Sequence, residues 1–169
     1  MRAPAAWLLS AAGLLSACAG MTRYPDSGEK NLYIHADASS GSAFSSVRAV
    51  LGVHAVDQRC RVTYEGSVKL DRQLIQVGIP ADRLSYLVFE FASSSFLGGM
   101  RGSVTHETLL RPRPGLAYDI RVSYRDDIYN VVIREREPPG REISRVGLAA
   151  CRQQARAAYL GNRLLAGPA

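Results

Sequence analysis

Cysteine and histidine are scarce in this 169-residue chain, with three of each, and neither type has the spacing of a metal or catalytic site. His35, His54 and His106 lie far apart and form no H-x-x-x-H pair, so no local pair of metal ligands is present. The G-x-S-x-G motif of serine hydrolases is absent, and so is the Gly-Lys-Ser/Thr end of a P-loop. These absences predict no catalytic residue, no metal and no cofactor.

Long apolar segments are also missing, since the chain has one short apolar run between Arg2 and Cys18. That run is too short to span a bilayer. It ends in Leu15-Ser16-Ala17-Cys18, which resembles the lipobox of bacterial lipoprotein signal peptides. The resemblance implies that residues 1–17 are a cleaved signal peptide and that the Cys18 thiol carries a diacylglyceryl group. An ordinary secretory signal with a chance cysteine is the alternative.

The lipobox resemblance also implies a place in the cell. In Gram-negative lipoproteins an aspartate after the lipidated cysteine tends to retain the protein in the inner membrane, and here that residue is Ala19. We therefore expect a lipid-anchored protein of the outer membrane that faces the periplasm, with residues 18–29 as a polar tether. In that oxidising compartment Cys60 and Cys151 are expected to form a disulfide, and two buried free thiols are the alternative.

The charge of the chain is basic and uneven, with 21 Lys+Arg against 15 Asp+Glu. Seven arginines and three glutamates fall after residue 133, so most of the excess lies in the C-terminal tail. A basic surface beside a membrane indicates anionic lipid, lipopolysaccharide phosphate or an acidic envelope protein as its partner. The signal peptide argues against nucleic acid.

The middle of the chain, residues 30–137, alternates apolar and polar side chains with period two and is interrupted by turn residues. This pattern predicts a mainly β domain built as an antiparallel β-sandwich, with one buried and one solvated face on each sheet. Cys60, Val62 and Tyr64 are expected to point inward from the third strand. Eight candidate strands lie at residues 30–37, 47–56, 60–70, 73–79, 84–92, 103–110, 117–125 and 128–136.

One segment of this domain has a more specific pattern. Leu110 is followed by Pro114-Gly115, then by Tyr118 and the alternating Ile120 and Val122. The segment resembles the strand-turn-strand of fibronectin type III and other immunoglobulin-like domains, in which the tyrosine forms a corner, and it is also similar to transthyretin-like sandwiches. The resemblance implies a sandwich of one of these two types.

The composition changes after Pro138-Pro139-Gly140, where a Pro/Gly linker leads into an alanine- and arginine-rich tail, so that residues 138–169 form the last unit. The tail predicts a helix from Glu142 to Leu165, with a regular part near 148–160. The helix is expected to pack on the sandwich through Leu148, Cys151, Ala155 and Tyr159. Its other notable face is an arginine stripe, made of Arg145, Arg152, Arg156 and Arg163. The stripe is a candidate contact for anionic headgroups or an acidic protein, and an ordinary solvated surface is the alternative.

The segment Ser93–Ser103 is the most unusual internal stretch, because it mixes glycines and serines with large apolar residues. It is predicted to be a long connection between strands whose apolar residues cap the end of the sandwich, and a mobile loop that contacts a partner or the membrane is the alternative. The candidate contact residues are Phe96, Leu97, Met100 and Arg101.

Taken together, these patterns predict a non-catalytic binding or scaffolding module held at the outer membrane. An accessory lipoprotein of a secretion or assembly machine is one alternative. An envelope hydrolase is the other, and it would require His35, His54 and His106 to converge with a carboxylate in one pocket.

Overall fold

The computed structural model describes residues 21–38, 45–95, 99–125, 128–137 and 140–155, and these residues form eight strands and part of one helix, α1, at 148–155. The predicted strands are all present within a few residues of their expected bounds. Within the described ranges no helix is long and apolar enough to cross a membrane. The strands are β1 (Leu32–Ala38), β2 (Ser45–Val56), β3 (Val62–Lys69), β4 (Leu74–Val77), β5 (Ser85–Ser95), β6 (Gly99–Leu110), β7 (Tyr118–Arg125) and β8 (Ile128–Glu135).

The strands form two four-stranded sheets that confirm the predicted β-sandwich. The first sheet has the order β4-β1-β7-β8 and the second β3-β2-β5-β6. Five of the six pairings are antiparallel, and the β1–β7 pairing is parallel. In a constant-type immunoglobulin domain the first two strands are neighbours, whereas here β1 and β2 lie in different sheets. The strand order therefore differs from that of a constant-type immunoglobulin domain.

The core lies between the sheets and is built from the alternating apolar positions. Leu51 of β2, Phe89 of β5 and Ile120 of β7 have no exposed surface. Tyr118 is also buried, and its hydroxyl accepts a hydrogen bond of 3.1 Å from the backbone N–H of Arg113. This is the contact that the expected tyrosine corner requires.

Strand β3 differs from the prediction in the direction of its side chains. Cys60 is buried as expected, but Val62 and Tyr64 are exposed. Cys60 lies before the strand in a tight turn with a positive φ of 58°, so its burial does not predict the orientation of the strand. A bulge at Glu65 then shifts the register against β2, because Val53 pairs with Gly66 but its neighbour His54 pairs with Tyr64.

The predicted tether at residues 18–29 is wrong for its described part, because the docked segment, residues 21–29, lies on the domain. Thr22 and Tyr24 bond to the backbone of Ser67 on the edge strand β3, with N–H to O distances of 2.8 and 2.9 Å. The Tyr24 side chain is part of the core. Proline, serine and glycine suggested a solvated chain, but an open strand edge offers this backbone hydrogen-bond partners.

The C-terminal helix begins at residue 148, so the predicted start at Glu142 is wrong and the regular part predicted from 148 is confirmed at its beginning. The preceding strap, residues 141–146, is extended and runs from the edge of the first sheet to the edge of the second. Backbone groups of the strap form hydrogen bonds with the edges of the two sheets instead of with one another in a helix. The backbone hydrogen bonds of the strap join Glu135 to Arg141, Ile143 to Ile133, and Leu109 to Val146.

Candidate functional site

The three histidines do not come together. His35 lies on β1 in the first sheet, whereas His54 and His106 lie on β2 and β6 in the second sheet. His54 pairs across strands with Tyr86 on the outer face, and His106 pairs with the buried Phe89 on the inner face. The convergence that the hydrolase alternative requires is therefore not observed. The described residues also contain no group of three metal-ligating side chains.

An aromatic patch, made of His54, Tyr64 and Tyr86, lies on the outer face of the second sheet. The His54 ring is 5.1 Å from the Tyr64 ring and 5.7 Å from the Tyr86 ring. Burial lowers the pKa of His54, against the opposing charges of nearby glutamates. Burial and then a hydrogen bond to Glu107 raise the pKa of Tyr86 to about 12. The patch was missed in the sequence because its members come from three strands and the bulge turns Tyr64 outward.

The predicted disulfide is present and fixes α1 to the sandwich. Cys60 and Cys151 are bonded, with a Cα to Cα distance of 6.0 Å. Leu148, Cys151 and Ala155 are half-buried, as is Ala150, whereas Arg152 is exposed. Among the residues of the predicted packing face, the disulfide fixes Cys151 to the sandwich. Tyr159 lies outside the described residues.

The predicted arginine stripe is wrong in one of its four members. Arg145 precedes α1, and its Nε donates a 3.0 Å hydrogen bond to the backbone carbonyl of Glu107. Arg152 lies on α1, and Arg156 and Arg163 lie outside the described residues. Because the strap is extended, the helical spacing that would align Arg145 with Arg152 does not apply.

The predicted loop Ser93–Ser103 is mostly strand. Strand β5 continues to Ser95 and β6 begins at Gly99, so the connection has three residues, 96–98, with Phe96 and Leu97 outside the described part. Met100 pairs with Ser94 and belongs to β6, as does Arg101. The glycines and serines of this segment hide the alternation that is typical of a strand. Pairing with β5 stabilises the strand despite this composition.

Strand β6 is an edge of the second sheet, and the strap covers only one end of it. The Leu109 N–H donates to the Val146 carbonyl at 2.8 Å, and the Glu107 carbonyl accepts from Arg145. Backbone groups of alternate residues point the same way in an antiparallel strand, so those of Thr105 and Ser103 also face the outer edge. No described residue forms a hydrogen bond with the outward-facing backbone groups of Ser103 and Thr105. We call residues 102–106 the open β6 edge.

A cleft of about 710 Å³ lies at the end of the sandwich near the start of β1, beside the docked segment. Its charged side chains largely neutralise one another. Arg83 donates to Glu65 at 2.6 Å, and Arg113 donates to Glu135 at 2.5 Å. These pairs offset the charges of both arginines, although the buried Nε of Arg83 has no hydrogen-bond partner among the described residues.

Comparisons with protein-family models, with curated proteins and with solved structures find no match for this chain. Cys18 and the rest of the lipobox lie outside the described residues, so lipid attachment stays a prediction. The function must therefore be argued from the lipobox and the described geometry.

Proposed function

We propose that this protein is a lipid-anchored module of the outer membrane that faces the periplasm and binds an envelope protein without catalysing a reaction. In this proposal the partner adds a strand to the open β6 edge. The partner would contact residues near Met100 and Arg101, two of the four candidate positions in the segment Ser93–Ser103.

Two features support the cellular location. The lipobox at Cys18 is the signal expected of an exported, lipidated chain. The disulfide between Cys60 and Cys151 is the kind of bond that persists in oxidising compartments and is rare in the cytosol.

The open β6 edge is the observation that carries the proposed binding role. Unpaired N–H and C=O groups on an edge strand form a template for another strand, and proteins usually cover or charge such edges. Here the strap covers the Leu109 end of β6, but Ser103 and Thr105 keep free backbone groups among the described residues. Strand addition to such an edge is a common mode of peptide recognition, with affinity from main-chain hydrogen bonds.

A backbone substitution tests this binding mode. Thr105→Pro removes one outward N–H but leaves the inward ladder to β5 intact, and proline is tolerated at such edge positions. Thr105→Val is the matched control because it keeps the N–H. The full-length tagged proteins are purified from detergent-solubilised membranes of the host, and co-purifying proteins are quantified.

We expect the native protein and Thr105→Val to capture the same envelope protein, and Thr105→Pro to capture at least tenfold less. Thermal unfolding of both variants checks that the sandwich is folded. Undiminished capture by a folded Thr105→Pro protein would refute strand addition at this edge.

The anchor has its own test. Replacing Cys18 with Ser should abolish incorporation of radiolabelled palmitate and leave the signal peptide uncleaved, because the thiol is the attachment point. Palmitate labelling that continues in Cys18→Ser would refute lipid attachment at this residue.

A further inference from the structure

The docked segment determines which side of the sandwich lies next to the lipid anchor. Beyond its bonds to β3, the segment is held by Asp26, whose carboxylate accepts a 2.8 Å hydrogen bond from the Gly78 N–H just after β4. Lys30 pairs with the same carboxylate at 2.6 Å. Met21, the first described residue, therefore lies on the side where β3 and β4 are the edge strands.

Two residues, Ala19 and Gly20, separate Cys18 from Met21. Three Cα to Cα steps span at most about 11 Å. A lipid group on Cys18 would therefore keep Met21 within about 11 Å of the anchored residue. The side of the domain that carries Met21 would thus stay next to the membrane.

The surface around Met21 has the composition of a membrane contact. A groove of about 610 Å³ between the docked segment, β3 and β4 is lined by Met21, Leu74 and three cations, Arg23, Lys69 and Arg72. Met21 and Leu74 are 44% and 47% exposed, which is high for large apolar side chains. The three cations are exposed and take part in none of the ion pairs among the described residues.

We propose that this anchor-side surface, made of Met21, Arg23, Lys69, Arg72 and Leu74, rests on anionic lipid headgroups and orients the domain on the membrane. The proposal rests on the proposed lipid attachment at Cys18. The two carboxylates of the groove are Asp71 and Asp26, and Lys30 neutralises Asp26, so the surface is positive overall. Basic residues beside apolar ones suit a surface that carries phosphate.

This surface is separate from α1, which carries part of the arginine stripe suggested by the sequence. The helix is bonded through Cys151 to Cys60, which precedes β3, whereas Lys69 ends that strand. The length of β3 separates the two by about 23 Å. The anchor-side end of β3 is therefore the end remote from the disulfide and from Arg152.

Single tryptophans test the orientation. The only tryptophan, Trp7, lies in the predicted signal peptide, so the processed chain has none. Leu74→Trp places a reporter on the anchor-side surface. Val146→Trp is the matched control because Val146 is similarly exposed, at 40%, and lies by the opposite edge strand. The lipidated full-length proteins are reconstituted in vesicles that contain brominated lipid, with or without anionic phosphatidylglycerol.

We expect bromine quenching at least threefold stronger for the tryptophan at position 74 than for the one at 146 in anionic vesicles, and a weaker difference in high salt. The triple variant Arg23→Gln/Lys69→Gln/Arg72→Gln should halve the quenching at 74 or reduce it further. The control triple variant Arg48→Gln/Arg111→Gln/Arg121→Gln, which removes exposed charges elsewhere, should leave it unchanged.

The outcomes separate this proposal from the proposed function. Equal quenching at 74 and 146 in palmitate-labelled protein would overturn the anchor-side surface but leave the anchor itself intact. Protein that carries no palmitate and does not associate with vesicles would overturn the lipid attachment and the orientation with it. If quenching of the tryptophan at position 74 were the same with neutral and anionic lipid and in the triple variant, the role of the three cations would be overturned.

Discussion

Individual side chains at one end of the sandwich join strands that are distant in sequence. Tyr118 opens β7, and its hydroxyl bonds to the backbone of Arg113 in the preceding connection. Arg113 in turn pairs with Glu135, the last residue of β8, at 2.5 Å. A buried tyrosine usually places its hydroxyl on a partner in this way, because an unmade hydrogen bond in the core is costly.

Removing this hydroxyl should destabilise the protein. Tyr118→Phe leaves the Arg113 N–H without its acceptor, and we expect the free energy of unfolding to fall by about 1 to 2 kcal/mol. Tyr64→Phe is the control, since Tyr64 is exposed and its hydroxyl contact is 3.4 Å long. Urea denaturation of both variants measures the difference. Equal stability of the two variants would contradict a structural role for the tyrosine corner.

Two histidines make the protein sensitive to acid. Burial lowers the pKa of His54 and of His106 below the ordinary value of 6.5. These histidines therefore bind protons at a higher pH in the unfolded chain than in the folded protein. The stability that they contribute above pH 6.5 is lost as the pH falls through and below that value. Urea denaturation at pH 7.5 and pH 5 should show this loss, and His54→Gln/His106→Gln should reduce it.

Whole elements, rather than single contacts, close the two sides of the sandwich. The docked segment lies along β3, and the strap lies along parts of β8 and β6. Gly66 shows how closely the docked segment packs. Its φ is +139°, and an added Cβ would lie 2.5 Å from the Cα of Tyr24. A side chain at this position is therefore incompatible with docking.

Gly66→Ala should consequently loosen the docked segment. We expect a loss of about 2 to 3 kcal/mol in the free energy of unfolding, from backbone strain and the clash together. Gly102→Ala is the matched control, because an added Cβ at Gly102 meets no atom within 4 Å. Its effect should stay within about 0.5 kcal/mol. If hydrogen exchange at Tyr24 were equally slow in both variants, tight packing at Gly66 would be disproved.

The sequence predicts elements well where apolar alternation is regular and poorly where backbone pairing decides the structure. All eight strands follow from alternation, and the disulfide follows from the cysteine count. The tether, the helix start and the long loop were wrong because sheet edges and neighbouring strands hold residues whose composition favours other structures. The bulge at Glu65 and the parallel β1–β7 pairing depend on contacts between distant strands, which a local pattern does not contain.

At the scale of the whole molecule, the two proposed surfaces lie on opposite sides. The anchor-side surface adjoins β3 and β4, and the open β6 edge lies beyond β2 and β5 at the other edge of the same sheet. A domain that rests on lipid through β3 and β4 would present β6 away from the membrane. The partner would then be an envelope protein that extends into the periplasm.

The disulfide holds the two sheets and the strap as one unit, since Cys60 follows β2 and Cys151 follows the strap. Cys60→Ser/Cys151→Ser should lower the free energy of unfolding by up to about 4 kcal/mol in the chain-entropy model. Hydrogen exchange at the Ile143 and Leu109 amides should become faster, while that of the Phe89 amide in the core should change less. Reduction of the native protein should reproduce this pattern. Unchanged exchange in the strap would show that it needs no covalent support.

The parallel pairing of β1 with β7 would link folding to the end of the proposed export. A chain that crosses a membrane from its N-terminus delivers Leu32 long before Tyr118, its neighbour in the first sheet. Until β7 is present, β1 lacks its partner in the centre of that sheet, although β2, β3, β5 and β6 pair with strands nearer in sequence. Pairing across so long a stretch of chain is slow and leaves an apolar strand exposed. In the proposed export, the first sheet would therefore be completed only after its last two strands have crossed.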